Sequence, residues 1–363
     1  MYKEIQIIET DFEDKYLIKY KEKTMYVGFI VRDIIEFLKE GKNNTEIHSS
    51  ITNKYNVDLK IDSIDDIITN KINLFIAKNE AKTFRKIVKL FDPSLLILPK
   101  IIFKVFEPLC FYVTLLVLCI LHIYVYTYSF HTPTNSFYDV FITYILLFGI
   151  LILHELGHSF AARKYNVNVK EIGFGIYYIL PVFYVDLNEA WKLEKNKRVI
   201  INLSGIYLQL FSGILLFLLS VIFKNQSNIL MNLYFINLSI VILNLNPFLK
   251  FDGYWILSDL INENDLNKTS NLVIKDLIKF KKPNEKWIVI FYSISKLIFI
   301  YCVISLLIKS MYSSAQGLIK NGYLDLYAIF PLLILCLIIY KIFKKLLNKK
   351  HEKRNRKSQR FNL

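Results

Sequence analysis

The chain has 363 residues, 54% of them hydrophobic, and carries a formal net charge of +15. So large an apolar share is poorly suited to a soluble domain, and together with the positive charge it points to a basic membrane protein. Nucleic-acid binding is the other common source of such charge, but Lys and Arg here gather at the ends of apolar runs, as residues facing a cytoplasmic leaflet do, so no nucleic-acid partner is expected.

Residues 1–85 are charged and hold no long apolar run. "KEIQIIE", "YLIKYK" and "TMYVGF" alternate like short strands, and "VRDIIEFLKEG", "NTEIHSSITNKY" and "SIDDIITNKINLF" follow with helical spacing. Thr45 with Ser49, and Ile61 with Asp62 and Ser63, are the expected helix starts, the second set the stronger. Strands followed by three helices resemble the small winged-helix domain of the PqqD type. That resemblance implies a cytoplasmic α+β domain that binds the leader segment of a ribosomally made peptide as an added strand. Residues 86–107 are expected to be a linker or interfacial segment.

Beyond residue 107 the chain reads as spans, because a helix needs about 20 apolar residues to cross about 30 Å of hydrocarbon. The runs are 108–129, 140–162, 199–223, 229–248, 287–308 and 324–340, about six transmembrane helices within 108–340, with a basic tail at 341–363. The first run starts late and follows charged residues, so a cleavable signal peptide is not expected. The link "FHTPTNSFYD" has no Lys or Arg, whereas Arg163, Lys164, Lys170, Lys192, Lys195, Lys197 and Arg198 crowd the next. The first link is therefore placed outside and the second inside, which puts both termini in the cytoplasm and the tail against anionic lipids. Cys110, Cys119, Cys302 and Cys336 all lie in apolar runs without CxxC spacing and read as packing residues.

The second run contains "LHELGHSF", which puts titratable groups where each costs about 2.5–3.5 kcal/mol on insertion scales. His154 and His158 are one helical turn apart on one face, within reach of a single ion, and Glu155 sits beside that face. This is the HExxH arrangement: two His bind Zn²⁺ and the Glu is general base for a zinc-bound water. Catalytic zinc usually has three protein ligands, so one is missing. Glu189 lies in a basic loop, poorly placed for the buried helix. "NLNPFLKFDGYWILSDL" supplies a better candidate, because its span runs from outside to inside and delivers Asp252 near the cytoplasmic end. There Pro247 breaks the helix and Gly253 permits a sharp turn toward the metal.

At these residues the chain resembles the site-2 protease family of intramembrane zinc metalloproteases, which pairs HExxH on one span with NxxPxxxxDG on a later one. Asn244, Pro247, Asp252 and Gly253 meet that pattern. The resemblance implies His154, His158 and Asp252 as zinc ligands, Glu155 as catalytic acid/base, and Asn244 as a substrate-side residue. "GFGIYYILPVFYVDLNEAW" and "RVIINLSGIYLQL" look like the peptide zinc metalloprotease branch, in which the first stretch is a partly embedded extended segment. Lys250 and Phe251 stand at motif positions often Pro or Leu elsewhere.

The reading is thus a polytopic α-helical zinc metalloendopeptidase of a bacterial cell membrane that matures or releases a ribosomally made modified peptide. Two alternatives stand beside it: a regulatory protease that cuts a transmembrane signalling protein, and a non-catalytic peptide exporter or immunity protein. An exporter is expected to bring a nucleotide-binding motif, and no GxxxxGK[ST] occurs. Asn202, Ser204, Gln209, Asn237 and Asn244 are candidates to line a polar entry cleft. His122 is read as a hydrogen-bonded bundle residue, His131 as lying on the wrong side for the metal, and Lys296 as paired inside the bundle. Oligomeric state has no signal in the sequence.

Overall fold

A computed structural model of the protein describes residues 2–21, 23–57, 60–77, 84–97, 99–128, 136–177, 180–263 and 265–321. The expected sixth span, the basic tail, His131 and Cys336 lie outside the described residues. Two compact units divide the chain, Met1–Asn264 and Asp265–Leu363.

The first unit opens with an antiparallel meander of β1 (Gln6–Glu9), β2 (Lys15–Tyr20) and β3 (Lys23–Gly28), in sheet order β1-β2-β3. Helices α1 (Phe29–Glu40), α2 (Asn44–Tyr55) and α3 (Ile61–Asp66) follow, the last continuing through a π-helical stretch, Ile67–Asn73, into α4 (Leu74–Ala77). An isoleucine-rich core including Ile18, Ile34, Ile35, Ile47, Ile51, Ile64 and Ile72 joins sheet and helices. The stronger helix start is the other one from that expected. Asn43 and Glu46 form a reciprocal capping box at α2, whereas Lys60 caps α3 without a side-chain bond.

A second sheet is assembled from distant segments. β4 (Phe84–Phe91) pairs antiparallel with β5 (Ile172–Tyr177), which pairs with β6 (Leu180–Val185). The short helix α5 (Lys100–Lys104) leads into α6 (Pro108–Tyr128), followed by α7 (Phe137–Lys164), α8 (Lys195–Ile222), α9 (Ser227–Asn244) and α10 (Asp252–Ile261). α8 packs against α6, α7, α9 and α10 and is the axis of the bundle. Around it Phe111, Ala161, Ala162, Ile200, Ile201, Ile206 and Leu210 form one apolar cluster, and Ile150, Leu216, Leu233 and Tyr234 belong to another.

The second unit contains α11 (Leu266–Ile278) and α12 (Trp287–Asn321). Lys296 of α12 donates to Asn267 and, at 2.9 Å, to Asn271, two amides one turn apart on α11. A buried ammonium is thereby held by neutral acceptors. Among the described residues five helices are long and apolar enough to cross a membrane: Pro108–Thr127, Phe137–Lys164, Lys195–Ile222, Lys224–Asn244 and Trp287–Ser313. The protein is a multi-pass membrane protein by helix length and composition. Cys110, Cys119 and Cys302 are free thiols on outward faces of these helices rather than packed inside.

Candidate metal centre

α7 runs unbroken through the HExxH stretch, so His154 and His158 project from one face, their rings 4.6 Å apart and edge to face. Both are buried, as is Glu155 between them in sequence. The third group comes from the other motif. α9 ends at Asn244, short of Pro247, and α10 begins at Asp252. Gly253 contributes differently from the expected turn. Its backbone is ordinary helix, and a Cβ would overlap the carbonyl of Leu245, so glycine here allows the end of α9 and the start of α10 to meet closely.

The three candidate ligands converge. His154 Nε2 and His158 Nε2 are 3.0 Å apart, and Asp252 Oδ2 is 3.1 Å from the first and 3.5 Å from the second. Two ligand atoms on a tetrahedral ion with bonds of about 2.0–2.1 Å lie about 3.3 Å apart, so the spacing suits one zinc. Protonation argues the same way. His154 Nδ1 donates to Gln209 Oε1 at 2.8 Å and His158 Nδ1 donates to the carbonyl of Ile201 at 2.7 Å. With each ring's proton on Nδ1, both Nε2 atoms present lone pairs. Asp252 Oδ2 is buried with no hydrogen bond of proper geometry despite these neighbours. Three buried acceptors aimed at one point repel one another unless a cation joins them, and His154, His158 and Asp252 are the group able to hold one among the described residues.

Asn244 lies at the rim. It is half-buried and donates to Gln209 Oε1 at a long 3.4 Å. Of the other polar residues expected in an entry cleft, Asn237 donates to the Gln209 carbonyl at 2.8 Å and Ser204 bonds back to Ile200 within α8. His122 lies away from the centre. It accepts from Tyr234 at Nδ1 and donates to the Leu210 carbonyl at Nε2, both at 2.9 Å, which pins three helices together. Glu189 pairs with Lys19 of the N-terminal sheet.

Residues 142–227 match Peptidase family M50. The match covers both histidines, Glu155 and Gln209 and stops short of Asn244 and Asp252, so the third ligand rests on geometry. A Bacillus subtilis (strain 168) protein named "Putative peptide zinc metalloprotease protein YydH" is 34% identical over 110 residues, 30% of this chain and 42% of that one. "Zinc metalloprotease MJ0392" of Methanocaldococcus jannaschii is 32% identical over 125 residues, 34% of this chain and 35% of its own length. The chain therefore spans less than half the length of these curated relatives. No solved structure matches.

What sequence reasoning missed is the support around the ligands. Gln209 was legible only as a polar residue in an apolar span, and Arg198 only as a topology charge. Arg198 donates through Nε and Nη2 to Asp259 Oδ1 at 2.9 and 2.5 Å, which ties α8 to the helix that carries Asp252. Gly205 had no signal at all. A Cβ there would overlap His158 Nε2 and come within 2.7 Å of His154 Cε1, so α8 forms a bare floor beneath the histidines.

Proposed function

We propose that this chain is a zinc-dependent metalloendopeptidase that hydrolyses a peptide bond in or near the membrane. His154, His158 and Asp252 hold the metal, Glu155 is the catalytic acid/base, and Asn244 is on the substrate side. The observation that carries this reading is the convergence of three buried acceptor atoms, two from the HExxH helix α7 and one from the start of α10. The match of residues 142–227 to a peptidase family and the printed names of the two relatives support the same chemistry.

Zinc, when bound, supplies Lewis acidity and lowers the pKa of water from 15.7 to about 7. Glu155 takes the proton of the attacking water and returns it to the leaving amine. Buried on the same helix as both histidines, it works where low dielectric strengthens each such interaction. α7 ends at Lys164, and at 1.5 Å per residue His154 lies about 15 Å from that basic end. Substrate must therefore be extended locally, since a helical segment keeps its carbonyls in its own hydrogen bonds.

The substrate we propose is a membrane-associated peptide or transmembrane segment, most specifically a ribosomally made modified peptide that is matured or released. Two features support it. One relative's name specifies a peptide, and β1 and β3 leave the N-terminal sheet with two edges, a geometry suited to leader capture by strand addition. We place both termini on the cytoplasmic side of a bacterial cell membrane, with the tail at 341–363 on anionic lipids, from the distribution of Lys and Arg.

The test is metal content of the full chain in detergent. Wild type is expected to hold about one zinc per chain. His154→Ala and Asp252→Ala should lose it, and Glu155→Gln should keep zinc while losing cleavage of a co-expressed membrane-anchored reporter peptide. Zinc indifferent to Asp252→Ala would overturn the ligand set.

A further inference from the structure

The two imidazoles are not held alike. His158 Nδ1 rests on a main-chain carbonyl, Ile201 O, which no substitution removes. His154 Nδ1 rests on a side chain, Gln209 Oε1, fully buried one helical turn from Gly205 on the same face of α8. The Gln209 oxygen also lies within reach of Asn244 Nδ2, and the Gln209 backbone carbonyl accepts from Asn237.

We propose that Gln209 is the positioning residue of the metal centre: its carboxamide oxygen fixes the ring orientation and tautomer of His154 and holds Asn244 beside it. The proposal rests on the zinc reading above and adds a residue to it. Three physical points carry it. First, a His whose Nε2 binds metal must keep its proton on Nδ1, and the acceptor opposite that proton decides how the ring is turned. Second, the direction of the amide is forced. Both neighbours present donors, so turning Nε2 toward them would set N–H against N–H. Third, the location is buried. Gln209 and His154 are both shielded from solvent within the bundle, so an Nδ1–H deprived of its acceptor is costly there. Most metal-bound histidines lean on a carboxylate or a main-chain oxygen; a neutral amide holds the tautomer without adding a second negative charge next to Asp252.

The same oxygen touches the candidate metal ligand and the rim amide, so Gln209 links His154 of one motif to Asn244 of the other. A rotation of Asn244 on substrate entry would therefore reach His154 through one atom.

The test compares Gln209→Leu, Gln209→Asn and Gln209→Glu in the full chain in detergent, by zinc affinity in chelator competition and by the visible spectrum of the cobalt-substituted protein. Leu fills similar space without an acceptor, and Asn withdraws the oxygen by about one bond length. Both are expected to weaken zinc about 10- to 100-fold and to shift and broaden the cobalt bands. Glu keeps an acceptor in place and should hold zinc within a few fold of wild type, with a cobalt spectrum like it. Equal affinities for wild type, Leu and Asn would overturn the proposal. If Leu does not fold, the Asn and Glu pair decides: equal zinc affinity for those two overturns it, and Asn weak with Glu strong supports it. Wild type without zinc would instead sink the metalloprotease reading, so the two failures are distinguishable.

Discussion

Gly205 is the residue on which the centre is most sharply exposed to a single atom. A methyl there must enter the space of His158 Nε2 and His154 Cε1, and neither ring can retreat while its Nδ1 is bonded. Gly205→Ala is expected to cut bound zinc at least about tenfold, since a centre bounded by close-packed side chains accommodates a methyl only by displacing a ligand. Gly149→Ala on α7, where a Cβ meets nothing within 4 Å, should leave zinc unchanged. Elemental analysis of the two variants checks both. Asp33, in the N-terminal region, poses a different question. It is 1% exposed and accepts from Lys54, Tyr55 and Arg32. Burial works against its charge, but these three partners outweigh it and hold the carboxyl below its ordinary value. A depressed folded pKa contributes stability above the unfolded pKa of about 3.9 that is lost as pH falls through the folded value. Asp33→Asn should therefore destabilise by about 1–3 kcal/mol across pH 5–7, with the gap to wild type closing below about pH 4. A melting series of the two proteins against pH reads this directly, and a constant gap down to pH 3 would contradict it.

At the scale of elements the ligands depend on how α8 and α10 are held together. Arg198 and Asp259 are both nearly buried, Arg198 Nη1 also donates to the Leu193 carbonyl at 2.8 Å, and the guanidinium lies 5.1 Å from the Trp191 ring. Burial raises the pKa of Asp259 even with Arg198 beside it, the mark of a pair that is costly to desolvate. Arg198→Met leaves that carboxyl alone and should cost about 3–5 kcal/mol, whereas Arg198→Met with Asp259→Leu should recover most of it. Melting midpoints of wild type, single and double variants test the coupling. Elements of this kind were unevenly legible from sequence. HExxH and the NxxPxxxxDG pattern were readable because their chemistry is local, two or three side chains at fixed spacing on one element. β4 was not, because Phe84–Phe91 becomes a strand only by pairing with Ile172–Tyr177, some ninety residues away. The Arg198–Asp259 pair, 61 residues apart, escaped for the same reason. A charge next to other charges reads as topology until its partner is seen.

At the scale of the whole molecule several features gather at one end of the helices that carry the centre. The basic ends of α7 and α8 carry Arg163, Lys164, Lys195, Lys197 and Arg198. The N-terminal region docks there: Tyr26 donates to the Trp191 carbonyl, Lys19 pairs with Glu189 at 3.3 Å, and Asp11 pairs with Lys197 at 2.7 Å and accepts from the Glu194 amide at 3.1 Å. The histidines lie nearer this end of α7 than its start, and the opposite end of α8 meets α9 through the short Lys224–Gln226 turn. A charged, folded region fixed to one end of the bundle must share that end's compartment. If Lys and Arg set orientation, that compartment is the cytoplasm. Cysteine labelling decides it in a background where Cys110, Cys119, Cys302 and Cys336 are replaced by Ala. Asn225→Cys, in the short turn, should react with a membrane-impermeant maleimide added to intact cells. Lys39→Cys, in the N-terminal region, should react only after permeabilisation. The reverse pattern would invert the molecule, put the docked region outside, and exclude capture of a cytoplasmic peptide. The expected pattern places the three ligands about 15 Å from the cytoplasmic end of α7, where a newly made peptide held by the N-terminal region could reach them.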